Sequence, residues 1–171
     1  MIHIYFGDGK GKTTSAAGLA ARSVGHGKRV IFAQFLKGRD SGEIVSLKTL
    51  GIQVIRSEGI NCFSWDMTEL QKEECRKVQN GLLNIIRNTI QNEDPVDMLV
   101  LDEVLNALSE RLLDEEDVKD FVMGKPDNME IVLTGRIMPD WLMERADYCT
   151  EMKKYKHPYD KGIQAREAVE Y

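Results

Sequence analysis

The stretch Ile2-His3-Ile4-Tyr5-Phe6-Gly7-Asp8-Gly9-Lys10-Gly11-Lys12-Thr13-Thr14 decides the fold of this 171-residue chain. An apolar strand, Ile2 to Phe6, runs directly into a glycine-rich turn and the start of a helix. Such a turn aims several backbone N–H groups at one anion, and the helix N-terminus adds the positive end of its dipole. Lys12 supplies a mobile positive charge and Thr13 a hydroxyl suited to Mg²⁺. Gly7, Asp8, Gly9, Lys10, Gly11, Lys12, Thr13 and Thr14 are therefore the expected triphosphate-binding residues, and the ligand is expected to be ATP. The usual pattern places its first glycine five positions before the Gly-Lys pair, where this chain has Phe6. The loop is one residue short, which changes the register in which a triphosphate is held.

Working outward, strand and helix signals alternate. Thr13 to Val24 is rich in alanine and small residues, and Gly25-His26-Gly27 stops that helix. Arg29 to Phe35 reads as a second buried strand, followed by a polar loop over Lys37 to Ser41, a short helix over Gly42 to Leu50 and a strand over Ile52 to Ile55. From Thr68 to Asn92 the positions Val78, Leu82, Ile85, Ile86 and Thr89 recur at helical spacing until Asp94-Pro95 breaks the pattern. Met98 to Leu101 reads as a fourth strand, Glu103 to Phe121 as helix in one or two pieces, and Ile131 to Leu133 as a fifth strand. A short helix over Pro139 to Arg145 and a sixth strand over Tyr148 to Met152 complete the order. Alternation of this kind predicts one α/β domain over 1–171, with a mostly parallel sheet covered by helices on both faces. Ligands in such sheets bind at the carboxyl ends of the strands, where the glycine loop sits.

Composition narrows the function. A net charge of −5 argues against nucleic acid or an anionic membrane as the main partner. Cys62, Cys75 and Cys149 show no Cys-x-x-Cys spacing and read as ordinary thiols of a reducing compartment, without a disulfide frame or zinc site. The first strand starts at residue 2, leaving no room for a signal peptide, and no apolar run is long enough to span a bilayer. The expectation is a soluble, cytoplasmic protein.

The second chemical signal is Met98-Leu99-Val100-Leu101-Asp102-Glu103. An apolar strand ending in carboxylates is the usual companion of a phosphate loop, one carboxylate holding Mg²⁺ directly or through water. Asp102 and Glu103, with Thr13, are the expected metal residues. Strand alternation puts the two carboxylates on opposite sides unless the strand has already ended. Phosphoryl transfer also needs a base or water-positioning residue, and no motif of that kind is evident. Arg136, after the fifth strand, reads equally well as a clamp or as a solvated arginine.

Further segments bear on this. Ala21-Arg22-Ser23-Val24-Gly25-His26-Gly27-Lys28, Gln34-Phe35-Leu36-Lys37-Gly38 and Phe63-Ser64-Trp65 follow the short loop. Val100-Leu101-Asp102-Glu103, Thr134-Gly135-Arg136, Ala146-Asp147 with Thr150-Glu151-Met152, and Lys156-His157-Pro158-Tyr159-Asp160-Lys161-Gly162-Ile163 complete the series. Nearly end to end, the chain resembles the ATP:corrinoid adenosyltransferases of the RecA-like P-loop type. The resemblance implies an alkyl-group transferase in adenosylcobalamin biosynthesis or salvage. Such enzymes transfer the 5′-deoxyadenosyl group of ATP to Co(I) of a reduced corrinoid and release triphosphate, holding ATP in a reversed sense on the shortened loop. It also implies Mg²⁺, a homodimer, an electron-donating reductase such as a flavodoxin-like protein, and a catalytic contribution from Lys12.

Phe63 and Trp65 stand in a polar loop, Gly59 to Asp66, with no obvious core to join. As residues alone they read more readily as loop anchors. The resemblance makes them catalytic, corrinoid-binding aromatics that exclude the lower axial ligand, which makes Co(II) easier to reduce. Arg22, on the first helix, reads as solvent-facing or as reaching ATP from the side. The Lys153 to Lys161 segment reads as a solvated tail or as a cover for the site, His3 and His26 as structural, and Trp141 as packing. Larger family members carry an N-terminal extension reported to cover the site. Here the first strand starts at residue 2, so either the site is more open or another element closes it. Two other classes of function remain: a P-loop ATPase or small-molecule kinase, and a non-catalytic module that binds ATP or corrinoid.

Overall fold

The computed structural model describes residues 1–38, 41–57, 62 and 67–169. Among the described residues, six strands form one sheet in the order β3-β2-β4-β5-β1-β6, every pairing parallel. The strands are β1 (Ile2–Phe6), β2 (Val30–Gln34), β3 (Gln53–Arg56), β4 (Met98–Asp102), β5 (Glu130–Thr134) and β6 (Tyr148–Glu151). The helices are α1 (Lys12–Gly25), α2 (Gly42–Thr49), α3 (Glu69–Asn92), α4 (Val104–Ser109), α5 (Glu115–Met123) and α6 (Asp140–Arg145). The expected α/β domain is present, with a fully parallel sheet.

Alternation along the strands sorts the core into two layers. Val30, Phe32, Met98, Val100 and Val132 pack with Ala16 and Ala20 of α1 and Ile44 and Leu47 of α2. Ile4, Ile31, Ala33, Leu99, Leu101, Ile131 and Leu133 face the other way, onto Leu82, Leu83 and Ile86 of α3 and onto Val104, Val118, Val122 and Leu142. Small residues on α1 let it lie close to the sheet, which brings its N-terminus to the carboxyl ends of the strands. Long α3 is started by a capping box in which Thr68 and Gln71 satisfy each other's backbone N–H groups. Glu103 to Phe121 divides into α4 and α5, and Asp114 caps the second piece through Asp117 N.

The cysteine reading is corrected. Cys62 and Cys75 form a disulfide, with Cα atoms 5.7 Å apart across 13 residues of sequence. Cys149 is the free thiol. Spacing could not show the pair, because it is the packing of α3 under the loop at residue 62 that brings the sulfurs together. Among the described residues, no helix is long and apolar enough to cross a membrane.

Candidate functional site

Strands β4, β5 and β1 lie side by side, and their carboxyl ends carry the polar residues. Leaving β1, the loop presses against the segment that follows β6. An added Cβ at Gly7 or Gly9 would stand 2.6 Å from the Met152 carbonyl oxygen, and Gly7 has φ +109°. Only glycine allows this approach. Gly9 N donates to Met152 O at 2.6 Å, and Lys154 N donates to Asp8 Oδ1 at 3.0 Å. Left-handed Gly11 then turns the chain into α1.

Lys12 folds back over the loop, its Nζ donating to the carbonyls of Gly7 and Gly9, each at 2.8 Å. Burial pushes its pKa down, and the Glu103 charge opposes that shift. Lys10 reaches the other way, donating to Val169 O at 2.5 Å. Thr13 Oγ1 donates to Asp102 Oδ1 at 2.9 Å, so the loop and the carboxylate strand meet as expected.

Asp102 is fully buried and saturated with donors. Besides Thr13, it accepts from Thr134 Oγ1 at 2.7 Å, Gln34 Nε2 at 3.3 Å and Lys37 Nζ at 3.2 Å. The strand ends at this residue. Glu103 adopts φ 63°, a left-handed conformation uncommon for a residue with a side chain, and so turns its carboxyl to the same side as that of Asp102. Its backbone N donates to Thr134 Oγ1 at 2.9 Å, and Asn106 Nδ2 donates to its Oε2. Lys37 Nζ lies 3.8 Å from Glu103 Oε1. Burial, then the neighbouring Asp102, raises the Glu103 pKa.

A cavity of about 700 Å³ opens above these groups. Gly9 to Thr14, Lys37, Glu103 and Arg136 line it, with Glu43 on one side and His157, Ala168 and Val169 on the other. Its volume suits a nucleotide-sized ligand. Arg136 is fixed through its backbone, its N donating to Asn106 Oδ1 at 2.7 Å and its O accepting from Gly7 N at 3.1 Å.

Over residues 1–171, the sequence matches the family model described as ATP:corrinoid adenosyltransferase BtuR/CobO/CobP. It is 31% identical to the corrinoid adenosyltransferase of Escherichia coli K12, over all of this chain and 85% of that one. It is 33% identical to corrinoid adenosyltransferase CobA of Salmonella typhimurium LT2, over all of this chain and 85% of that one. It is 32% identical to the corrinoid adenosyltransferase of Pseudomonas aeruginosa PAO1, over all of this chain and 83% of that one. The chain belongs to the ATP:corrinoid adenosyltransferase family.

Not every candidate of this family-type site is brought to the cavity. Asp8 to Thr14 and Glu103 line it, and Gly7 is buried and is not among the lining residues. Asp102 lies under the lining, reaching it through Thr13 and Lys37. Arg22 is exposed near the far end of α1 and is not among the lining residues. Phe63 and Trp65 lie outside the described residues. The Lys153–Lys161 segment runs beside the loop, with a 3₁₀ turn over Pro158–Lys161. Lys37, Asn106 and Thr134 carry much of the geometry, although no role of its own was legible for any of them in the sequence. Lys37 and Thr134 stand within the segments Gln34-Phe35-Leu36-Lys37-Gly38 and Thr134-Gly135-Arg136, and Asn106 is a buried polar residue of α4 with no motif around it.

Among the described residues no group of three or more His, Cys, Asp or Glu side chains is placed to hold a metal ion. A Mg²⁺ site completed by substrate phosphates needs only one or two carboxylates. Thr13 Oγ1, Asp102 and Glu103 offer oxygen donors of that kind, and they already surround a cation, the Lys37 ammonium. The donor set fits the ion.

Proposed function

We propose that this protein transfers the 5′-deoxyadenosyl group of ATP to the Co(I) of a reduced corrinoid and releases triphosphate, in the making or salvage of adenosylcobalamin. The observation that carries this reading is the family match along all of 1–171, on a chain whose phosphate loop lacks one residue of the usual pattern. Co(I) attacks the 5′ carbon with its electron pair. The Co–C bond forms, the C5′–O bond breaks with its electrons going to triphosphate, and cobalt becomes formally Co(III). So strong a nucleophile needs no general base. What the protein supplies is orientation of the two reactants and neutralisation of the leaving triphosphate.

Loop amides, Lys10 and Lys12 suit the triphosphate. Thr13 and Glu103, with Asp102 behind them, are the groups that would hold Mg²⁺, which supplies further positive charge to the leaving oxygens. Glu103 takes the leading role because it faces the cavity, whereas Asp102 is enclosed by four donors. Phe63 and Trp65 are the corrinoid contacts in this reading. Support comes from their neighbour in sequence, Cys62, whose N donates to Leu36 O at 3.1 Å, beside the turn carrying Lys37. The C-terminal segment is the cover, supported by His157, Ala168 and Val169 in the cavity wall. A cytoplasmic homodimer served by a reductase of the flavodoxin-like kind completes the proposal, on the strength of the resemblance.

Anaerobic incubation with ATP, Mg²⁺ and chemically reduced cobalamin tests it. The expected result is the spectrum of an alkylated corrinoid with one triphosphate per turnover. ADP or inorganic phosphate as product would overturn the reading in favour of a kinase or ATPase, and tight binding without turnover in favour of a delivery module.

A further inference from the structure

Lys37 sits where the phosphate loop and the carboxylate strand converge, on the turn that follows β2. After β2, Phe35 N donates to Asp102 O at 2.9 Å, tying the end of β2 to the end of β4. Leu36 then takes φ 63°, a left-handed conformation that costs a leucine about 1 kcal/mol or more. Its N donates to Gln79 Oε1 of α3 at 3.0 Å, and its side chain is 2% exposed, so the surrounding structure enforces the bend. The consequence is that the Lys37 side chain points back into the sheet end. Its Nζ lies 3.2 Å from Asp102 Oδ2, 3.4 Å from Thr13 Oγ1 and 3.8 Å from Glu103 Oε1. Two adjacent buried carboxylates without a counter-charge would be strongly destabilising. Lys12 is held by the loop carbonyls, and Arg136, which also lines the cavity, is a further nearby positive charge for Glu103.

We propose that Lys37 is a positioning residue that serves as the internal counter-cation of the Thr13–Asp102–Glu103 site, holding these oxygens in the nucleotide-free protein and turning its ammonium to the triphosphate when metal and nucleotide arrive together. This rests on the metal reading of Thr13, Asp102 and Glu103 given above. An ammonium and a divalent cation compete for the same oxygens, so the nucleotide-free protein discriminates against the free ion. Cation exchange becomes favourable only when phosphate oxygens are present to accept the displaced ammonium. Because Lys37 also lines the cavity, its flexible stem needs only to rotate to reach them.

The test is Mn²⁺ binding to nucleotide-free protein, read by electron paramagnetic resonance, for wild type, Lys37→Met and Lys37→Arg. Lys37→Met is expected to bind Mn²⁺ at least about tenfold more tightly than wild type. Lys37→Arg, which keeps the charge, is expected to match wild type. Equal Mn²⁺ affinity in wild type and Lys37→Met would overturn the proposal. Should Lys37→Met not fold, wild type decides alone, with Glu103→Gln as the control. No saturable Mn²⁺ binding without nucleotide supports the inference, and saturable binding that Glu103→Gln abolishes overturns it. Neither ATP nor corrinoid enters this titration, so its outcome stands apart from the triphosphate assay that tests the proposed activity.

Discussion

Removing the carboxyl of Asp102 and removing the charge of Glu103 are expected to have different consequences, although the two residues are neighbours in sequence. Asp102→Ala strips the acceptor from Thr13, Thr134, Gln34 and Lys37 at once. Breaking a buried network by deleting one partner costs about 3–5 kcal/mol, on the order of 10 °C in Tm for a domain of this size. Glu103→Gln keeps the shape of the side chain and leaves Asp102 in place. Its expected signature is a raised Mg²⁺ requirement for turnover with little loss of Tm. Melting curves and Mg²⁺ titrations of both variants check this. An unchanged metal dependence in Glu103→Gln would make Glu103 a structural cap of α4. Lys12→Ala belongs at the same scale. Lys12 Nζ donates to the carbonyls of its own loop, so the fold should persist without it. Loss of one preorganised charge on the triphosphate should lower the rate by about 10²–10³. A near-normal rate at saturating ATP would show that this loop is not where the triphosphate binds.

Elements were more legible than the contacts between them. Strands β2, β4 and β5 could be read because buried parallel strands are continuous apolar runs, and α3 because its apolar positions recur at helical spacing. The division between α4 and α5 could not be placed, since Leu112 and Leu113, both buried, continue the apolar pattern through the connection. The left-handed turn at Leu36 was invisible for a simpler reason: the usual marker of such a turn is glycine, and tertiary contacts hold a leucine there instead. At the opposite end of the sheet, His3 of β1 bridges its two neighbours. Its Nε2 lies 2.7 Å from Glu130 Oε2 of β5, and its ring stacks on Tyr148 of β6 with centroids 4.7 Å apart. Burial works to raise the Glu130 pKa, but the His3 hydrogen bond and the nearby terminal ammonium outweigh it and hold the carboxyl below its usual 4.5. A depressed carboxylate contributes stability above its unfolded pKa and loses it as pH falls through the folded value. Glu130→Gln should therefore melt below wild type at about pH 6, with the gap closing below about pH 4. A gap that persists in acid would mean that packing, not charge, joins these strands.

At the scale of the whole molecule, the glycine loop was readable because its amides, Lys12 and Thr13 lie within one short stretch. The proposed corrinoid side adjoins residues brought together from distant parts of the chain. Leu36 O accepts from Cys62 N, Leu36 N donates to Gln79, and Cys62 is bonded to Cys75 of α3. Residue 62, next in sequence to Phe63, and the Lys37 turn thus share one support, which Phe63→Ala and Trp65→Ala leave in place. The aromatic rings act, in the proposed mechanism, by displacing the lower axial ligand of the corrinoid. That assists the reduction of Co(II) and adds little once Co(I) exists. Phe63→Ala and Trp65→Ala should consequently slow a reaction started from Co(II) with a biological reductant much more than one started from preformed Co(I). Nucleotide affinity should be nearly unchanged in both, because the triphosphate groups belong to α1 and its loop. Anaerobic assays from the two starting states, with ATP binding measured separately, decide the matter. Equal losses from both states would assign the rings to corrinoid affinity alone, and no loss from either would make them anchors of their own loop.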